Sequence, residues 1–192
     1  MNPKKHLIFI VFPSVLMTAV VLPSLFAAAE EATDFEVVPC EVGAYVIDTD
    51  PAGLNVRSGP GLDYPVIAVL PTYATPPEDV TVDLVIRGSV GEWMYISDPA
   101  YDGSEGEEFW KITGWVYGPM LGTYAVDYGT TGAVVPVYGG PSTGSAVLTR
   151  LVSDTEVVIV GCRGEWVKVR VNDVEGWLAP GSHCGSSKTN CC

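Results

Sequence analysis

Basic side chains are scarce in this sequence. It holds ten Lys and Arg and two His against 23 Asp and Glu, for a formal net charge of -13. Such a surface repels phosphate backbones and anionic lipid, which excludes nucleic acid as a partner. The same shortage removes most catalytic schemes, because an activated nucleophile needs a base beside it. Beyond His6 the only histidine is His183, and Cys162 with His183 would be a nearby Cys/His combination. No third group is evident to orient that pair. There is no His-Glu-x-x-His helix, and the hydroxyl-rich loops show no histidine partner. The chain therefore reads as a non-enzyme. No C-x-x-C pair occurs either, so a structural zinc site is not expected, and no cofactor is implied.

Helical periodicity is also missing. Beyond residue 29, Val, Ile, Thr, Tyr and Trp fall in short runs cut by Gly, Pro, Asp and Asn. That pattern predicts an all-β class. Expected strands cover residues 44–47, 53–56, 66–70, 80–86, 93–97 and 114–117.

Long apolar runs are confined to the N-terminus. Lys4 and Lys5 precede a nearly continuous apolar stretch from Leu7 to Phe26, and Ala27-Ala28-Ala29 comes before Glu30-Glu31. This is the layout of a secretory signal peptide over residues 1–29. If left uncleaved, the segment would be a membrane anchor, the chain's one route to a membrane. Cleavage removes two lysines and no acid, leaving a mature charge of -15, from the -13 of the whole chain. Export favours disulfides. Five cysteines remain (Cys40, Cys162, Cys184, Cys191 and Cys192), so one is left over within the chain. Adjacent Cys191 and Cys192 rarely pair with each other. They either bridge to Cys40 and to another chain or lie in a frayed tail.

An internal repeat is present. Val56-Arg57-Ser58-Gly59-Pro60 aligns with Val137-Tyr138-Gly139-Gly140-Pro141. Gly91-Glu92-Trp93 aligns with Gly164-Glu165-Trp166, and Gly114-Trp115-Val116 with Gly176-Trp177-Leu178. The first copy is the longer. It carries extra residues at 71–77 and at 98–108, which is where added binding function or neutral insertion would fall.

Leu54-Asn55-Val56-Arg57-Ser58-Gly59-Pro60-Gly61, followed by the Gly-Glu-Trp and Gly-Trp-Val landmarks, resembles the bacterial SH3-type (Src-homology-3-like) domain family. The resemblance implies two tandem small SH3-like β-barrels. The first would occupy residues 43–124 and the second 125–182, after a linker at 30–42 and before a Cys-containing tail at 183–192. It also implies a targeting or binding module, often for cell-wall peptides. In the second copy Tyr138 and Gly139 replace Arg57 and Ser58, and no glycine follows Pro141. A bracing role for that copy follows. A bridge between Cys162 and Cys184 would hold down its last strand.

Asn55, Arg57, Gly59, Pro60 and Gly61 form the structural motif. Gly59 and Gly61 permit a sharp turn, Pro60 stiffens it, and the Arg57 guanidinium is suited to tying carbonyls across it. Trp93, Trp115, Trp166 and Trp177 recur at matched places, as core or rim aromatics do. Trp115, Trp166 and Trp177 read as framework. Trp93 reads as framework or ligand contact. Trp110 does not recur, and with Tyr64 and Tyr101 it is a candidate ligand contact. Asp102, Glu105, Glu107 and Glu108 would face cationic groups of a peptide or peptidoglycan ligand, or of a protein partner. As an alternative they would hold Ca²⁺ in an extracellular scaffold, although their spacing does not match an EF-hand. A solvated acidic loop is the simplest reading.

Overall fold

The computed structural model describes residues 35–72, 81–103, 106–128 and 133–186, and of residues 101–103 and 106–109 the backbone only. The signal segment, Glu105, Cys191 and Cys192 lie outside the described residues. The first half supplies β1 (Val38–Val46), β2 (Leu54–Arg57), β3 (Val66–Leu70), β4 (Val82–Val90), β5 (Trp93–Gly103), β6 (Gly106–Phe109) and β7 (Gly114–Tyr117). A 3-10 turn at Gly118–Met120 leads into β8 (Leu121–Ala125). There follow β9 (Val134–Tyr138), β10 (Val147–Val152), β11 (Thr155–Arg163), β12 (Trp166–Val171), β13 (Val174–Leu178) and β14 (His183–Cys184). The all-β class holds.

Alternation explains the strands. In β4, Val82, Leu84 and Ile86 point inward while Asp83, Val85 and Arg87 are more exposed. In β12, Val167 and Val169 are buried between half-buried Trp166, Lys168 and Arg170. Successive side chains of a strand leave opposite faces, so each such run presents one apolar face. The faces meet in one cluster that includes Val42, Ile86, Met94 and Ile96 from the first half and Leu121, Ile159, Val169 and Leu178 from the second. Each large side chain fully buried there contributes about 1.5–3 kcal/mol.

The strands form one hydrogen-bonded path, β10-β9-β13-β12-β11-β8-β1-β4-β5-β7-β2-β3, with β6 added to β5 and β14 to β8. The path is open, ending at β10 and β3, where two separate barrels were expected. From its middle it runs outward in the same order twice. One arm is β1, β4, β5, β7, β2, β3, and the other is β8, β11, β12, β13, β9, β10. The arms join where Tyr45 faces Gly122 and Val46 faces Leu121. No break in the sheet falls at residue 124, because β8 pairs with both β1 and β11. The stretch 30–42, read as linker, enters the sheet at Val38. Pro39 and a bulge between Pro39 and Val42 interrupt the alternation that would have marked this strand.

The proposed Cys162–Cys184 bridge is not formed. Cys162 of β11 is bonded to Cys40 of β1, with Cα atoms 5.8 Å apart across 122 positions of sequence. Cys184 is disulfide-bonded as well, though not to Cys162. Topology decides the pairing. Next to the bridge, the Glu41 amide donates to the Gly164 carbonyl at 2.8 Å and the Gly164 amide to the Pro39 carbonyl at 2.9 Å. These bonds bring Cys40 to the end of β11, while Cys184 leaves along β8.

Candidate functional site

The Ser-Gly-Pro-Gly turn links β2 to β3. The Ser58 amide donates to the Pro65 carbonyl at 3.0 Å and the Gly61 amide to the Gly59 carbonyl at 3.0 Å. Arg57 Nη1 donates to the Leu62 carbonyl at 3.1 Å and the Tyr64 carbonyl at 2.8 Å, closing the turn onto the strand. A Cβ on Gly59 would stand 2.2 Å from the Tyr64 ring, so the missing side chain is what lets Tyr64 fold back over the turn. Pro60 and Gly61 are half-buried at its tip, and Asn55 is exposed on the outer face of β2.

From this turn an aromatic stripe runs over the β2–β7–β5 surface. Phe35 bridges Tyr64 and Trp115, with ring centroids 6.5 Å and 5.5 Å away. Trp115 lies 5.3 Å from Tyr95, and Trp93 lies 5.6 Å from Tyr117. The register explains the line. Trp93 faces Tyr117 and Tyr95 faces Trp115, and residues two apart on a strand share a face. Trp115 is buried at 6 % exposure, while Phe35, Tyr64, Trp93, Tyr95 and Tyr117 are half-buried. Polar groups mark the Trp93 end. The Tyr117 hydroxyl donates to Glu92 Oε2 at 3.0 Å, and Arg170 Nη2 reaches Glu92 Oε1 at 2.5 Å and Glu175 Oε1 at 2.7 Å. The hydrogen bond to Glu92, with some burial, raises the Tyr117 phenol pKa. Hydrogen bonds from Lys168 and Arg170 hold the Glu175 carboxyl below its usual range.

The sequence candidates fall in two places. Tyr64 and Trp93 belong to the stripe, at its two ends. Tyr101 and Asp102 lie on β5 and Glu107 and Glu108 on β6, in a hairpin where Tyr101 faces Glu108 and Asp102 faces Glu107. Trp110 follows that hairpin, its amide bonded to the Pro99 carbonyl at 2.9 Å, and it packs half-buried against the core. Phe35 and Tyr117 were not singled out from the sequence. Phe35 precedes every recognisable strand, and Tyr117 looks like one more alternating residue until β7 is set beside β5.

The second half repeats the backbone but not the surface. Gly139 and Ser142 amides bond to Ala146 and Gly140 carbonyls, at 2.8 Å each, where Ser58 and Gly61 make their bonds in the first half. Tyr138 faces Trp177 as Arg57 faces Trp115. Lys168 then faces Trp177 where Tyr95 faces Trp115. Trp166 retains one aromatic neighbour, Tyr138, at 5.8 Å. Charge thus replaces an aromatic in the middle of this face. Among the described residues, no three His, Cys, Asp or Glu side chains group as metal ligands.

Residues 133–183 match the bacterial SH3 domain. The matched SH3 segment covers β9 to β13 and ends within β14. No curated protein matches the chain. Among solved structures, NlpC2 from Trichomonas vaginalis is 13 % identical over 77 % of this chain and 48 % of its own, with a TM-score of 0.28. NlpC1 from the same organism is 10 % identical over 79 % and 47 %, with a TM-score of 0.29. This chain spans about half the length of both. Scores this low carry no inference about shared function.

Proposed function

We propose that the chain is a secreted, non-catalytic binding module of two SH3-type repeats, recognising a peptide or peptidoglycan ligand along the stripe of the first. The first repeat runs from β1 to β7 and the second from β8 to β13. The observation that carries this reading is the run of ring contacts Tyr64, Phe35, Trp115 and Tyr95, with the Trp93–Tyr117 pair two positions further along the same sheet face and most of these rings half-exposed. Aromatic faces stack on peptide and sugar surfaces and attract cations, and half-burial holds them ready without ordering cost. The match of residues 133–183 to a bacterial SH3 domain and the matching turn geometry of the first half support two repeats. The acids of the β5–β6 hairpin add negative charge for amine groups, so binding weakens with salt.

The test is co-sedimentation with insoluble peptidoglycan at low and moderate salt, for the unmodified protein and for Trp93→Ala and Trp110→Ala. Binding that falls with salt and drops about tenfold in Trp93→Ala is expected, the effect of losing one aromatic anchor. Loss in Trp110→Ala as well would extend the contact to the hairpin. No sedimentation at either salt would remove the wall ligand and leave an extracellular scaffold, a role the cross-strand Cys40–Cys162 bond would suit.

A further inference from the structure

The seam between β1 and β8 contains a second kind of site. Tyr45 and Tyr124 stack there with ring centroids 5.3 Å apart and planes 29° from parallel. They occupy matching positions, since Tyr45 faces Asp83 across β1 and β4 while Tyr124 faces Glu156 across β8 and β11. The Glu156 side chain crosses the seam, and its Oε2 accepts the Tyr45 hydroxyl at 2.9 Å. Burial first, then hydrogen bonding to Tyr124 and Glu156, raises the Tyr45 phenol pKa. Tyr45 is therefore a neutral donor at ordinary pH. Beside this pair opens a pocket of about 320 Å³, lined by Tyr45, Ile47, Thr49, Thr81, Tyr124 and Glu156 among others.

We propose that this pocket binds a primary ammonium group carried on a short aliphatic chain, the chemistry of a lysine-type side chain. The lining dictates the class. Among the described lining residues there is one carboxylate and no cation, which favours a positive ligand and repels an anion. Threonine hydroxyls and the second carboxylate oxygen are acceptors for ammonium protons. Aromatic and isoleucine surfaces suit a methylene chain, and a tyrosine face attracts the cation itself. The volume lies within the range of small-ligand pockets. The site is built on other strands than the aromatic stripe and does not depend on it.

The probe is Nα-acetyl-lysine N-methylamide, titrated by ¹H–¹⁵N NMR into protein purified from cells expressing the whole sequence. The comparator is the norleucine analogue, which has a similar chain and no amine. Saturable shifts at the Tyr45, Tyr124 and Glu156 amides are expected with the lysine probe. The norleucine analogue and the Glu156→Gln variant should each bind about tenfold more weakly, the loss of one charge-assisted hydrogen bond. Glutamine can still accept the Tyr45 hydroxyl, and the norleucine comparison needs no variant at all. Absence of saturable shifts at these amides would overturn the proposal, as would equal affinity for the two probes or unchanged binding by Glu156→Gln. Shifts confined to Trp93, Tyr95 and Tyr117 would overturn it too, while supporting the aromatic face.

Discussion

Arg57 shows how one side chain stabilises a loop. Its two hydrogen bonds to the Leu62 and Tyr64 carbonyls hold the turn on which Tyr64 is displayed. Arg57→Ala should cost about 1–2 kcal/mol in urea unfolding, because charge-assisted bonds are worth more than neutral ones and these are partly exposed. Gly114 and Gly176 show the opposite case, a side chain that must be absent. A Cβ on Gly114 would meet Val56 Cγ1 at 2.5 Å and the Arg57 carbonyl at 2.8 Å; one on Gly176 would meet Val137 Cγ1 at 2.4 Å and the Tyr138 carbonyl at 2.8 Å. Either glycine changed to alanine should lose about 1–3 kcal/mol, whereas Gly161→Ala, with nothing nearer than 3.4 Å, should lose far less. His183 gives a pH dependence. Its Nε2–H donates to the Glu165 carbonyl at 2.9 Å, and burial holds its pKa below the ordinary 6.5. The unfolded chain therefore takes the proton first as pH falls. The stability His183 contributes is complete above pH 6.5 and declines below it. Urea unfolding at pH 7.5 and 5.5 should show a drop that is smaller in His183→Gln.

Between elements, the Cys40–Cys162 bond ties the two arms together. It joins β1 to β11 over 122 residues, a long loop closed in the unfolded chain as well as the folded one. Replacing both cysteines with serine should lower stability by about 2–5 kcal/mol, read from the shift in the urea midpoint. The ion pairs of Arg170 and Lys168 with Glu175 contribute much less, because all three side chains are partly exposed and screened. At this scale the sequence was legible where short β-prone runs are cut by Gly, Pro or Asp, as in residues 66–70, 93–97 and 114–117. It was not legible at the start of β1, where Pro39 and the bulge hide the period. It also misled on the cysteines, because Cys162 and Cys184 flank the second expected barrel and suggested a bridge there, while strand order brings Cys40 to Cys162.

Across the whole molecule, the organising feature is a sheet that runs outward from the β1–β8 seam in the same order twice. The sequence carries a sign of this in Val42-Gly43-Ala44-Tyr45-Val46-Ile47-Asp48 and Leu121-Gly122-Thr123-Tyr124-Ala125-Val126-Asp127, a further pair of matching segments. It is easily missed, since glycine and one tyrosine are its only identical interior residues. The match places β8 at the head of the second arm, on the β11 side of any repeat boundary. A fragment of residues 118–186 should therefore melt cooperatively by circular dichroism, and one of residues 126–186 should not. The shorter piece exposes the β11 edge and the core face that Leu121 and Thr123 cover.

The sequence by itself determined the all-β class and the turn chemistry of residues 54–61, because each depends on local periodicity and on backbone freedom at a few positions. The tertiary structure alone decided the cysteine pairing, the continuity of the sheet, the line of aromatics and the tyrosine pocket. These depend on which strands lie side by side. A register set by chain crossings far apart in sequence brings Phe35 to Trp115 and Tyr45 to Glu156, and no local pattern records it.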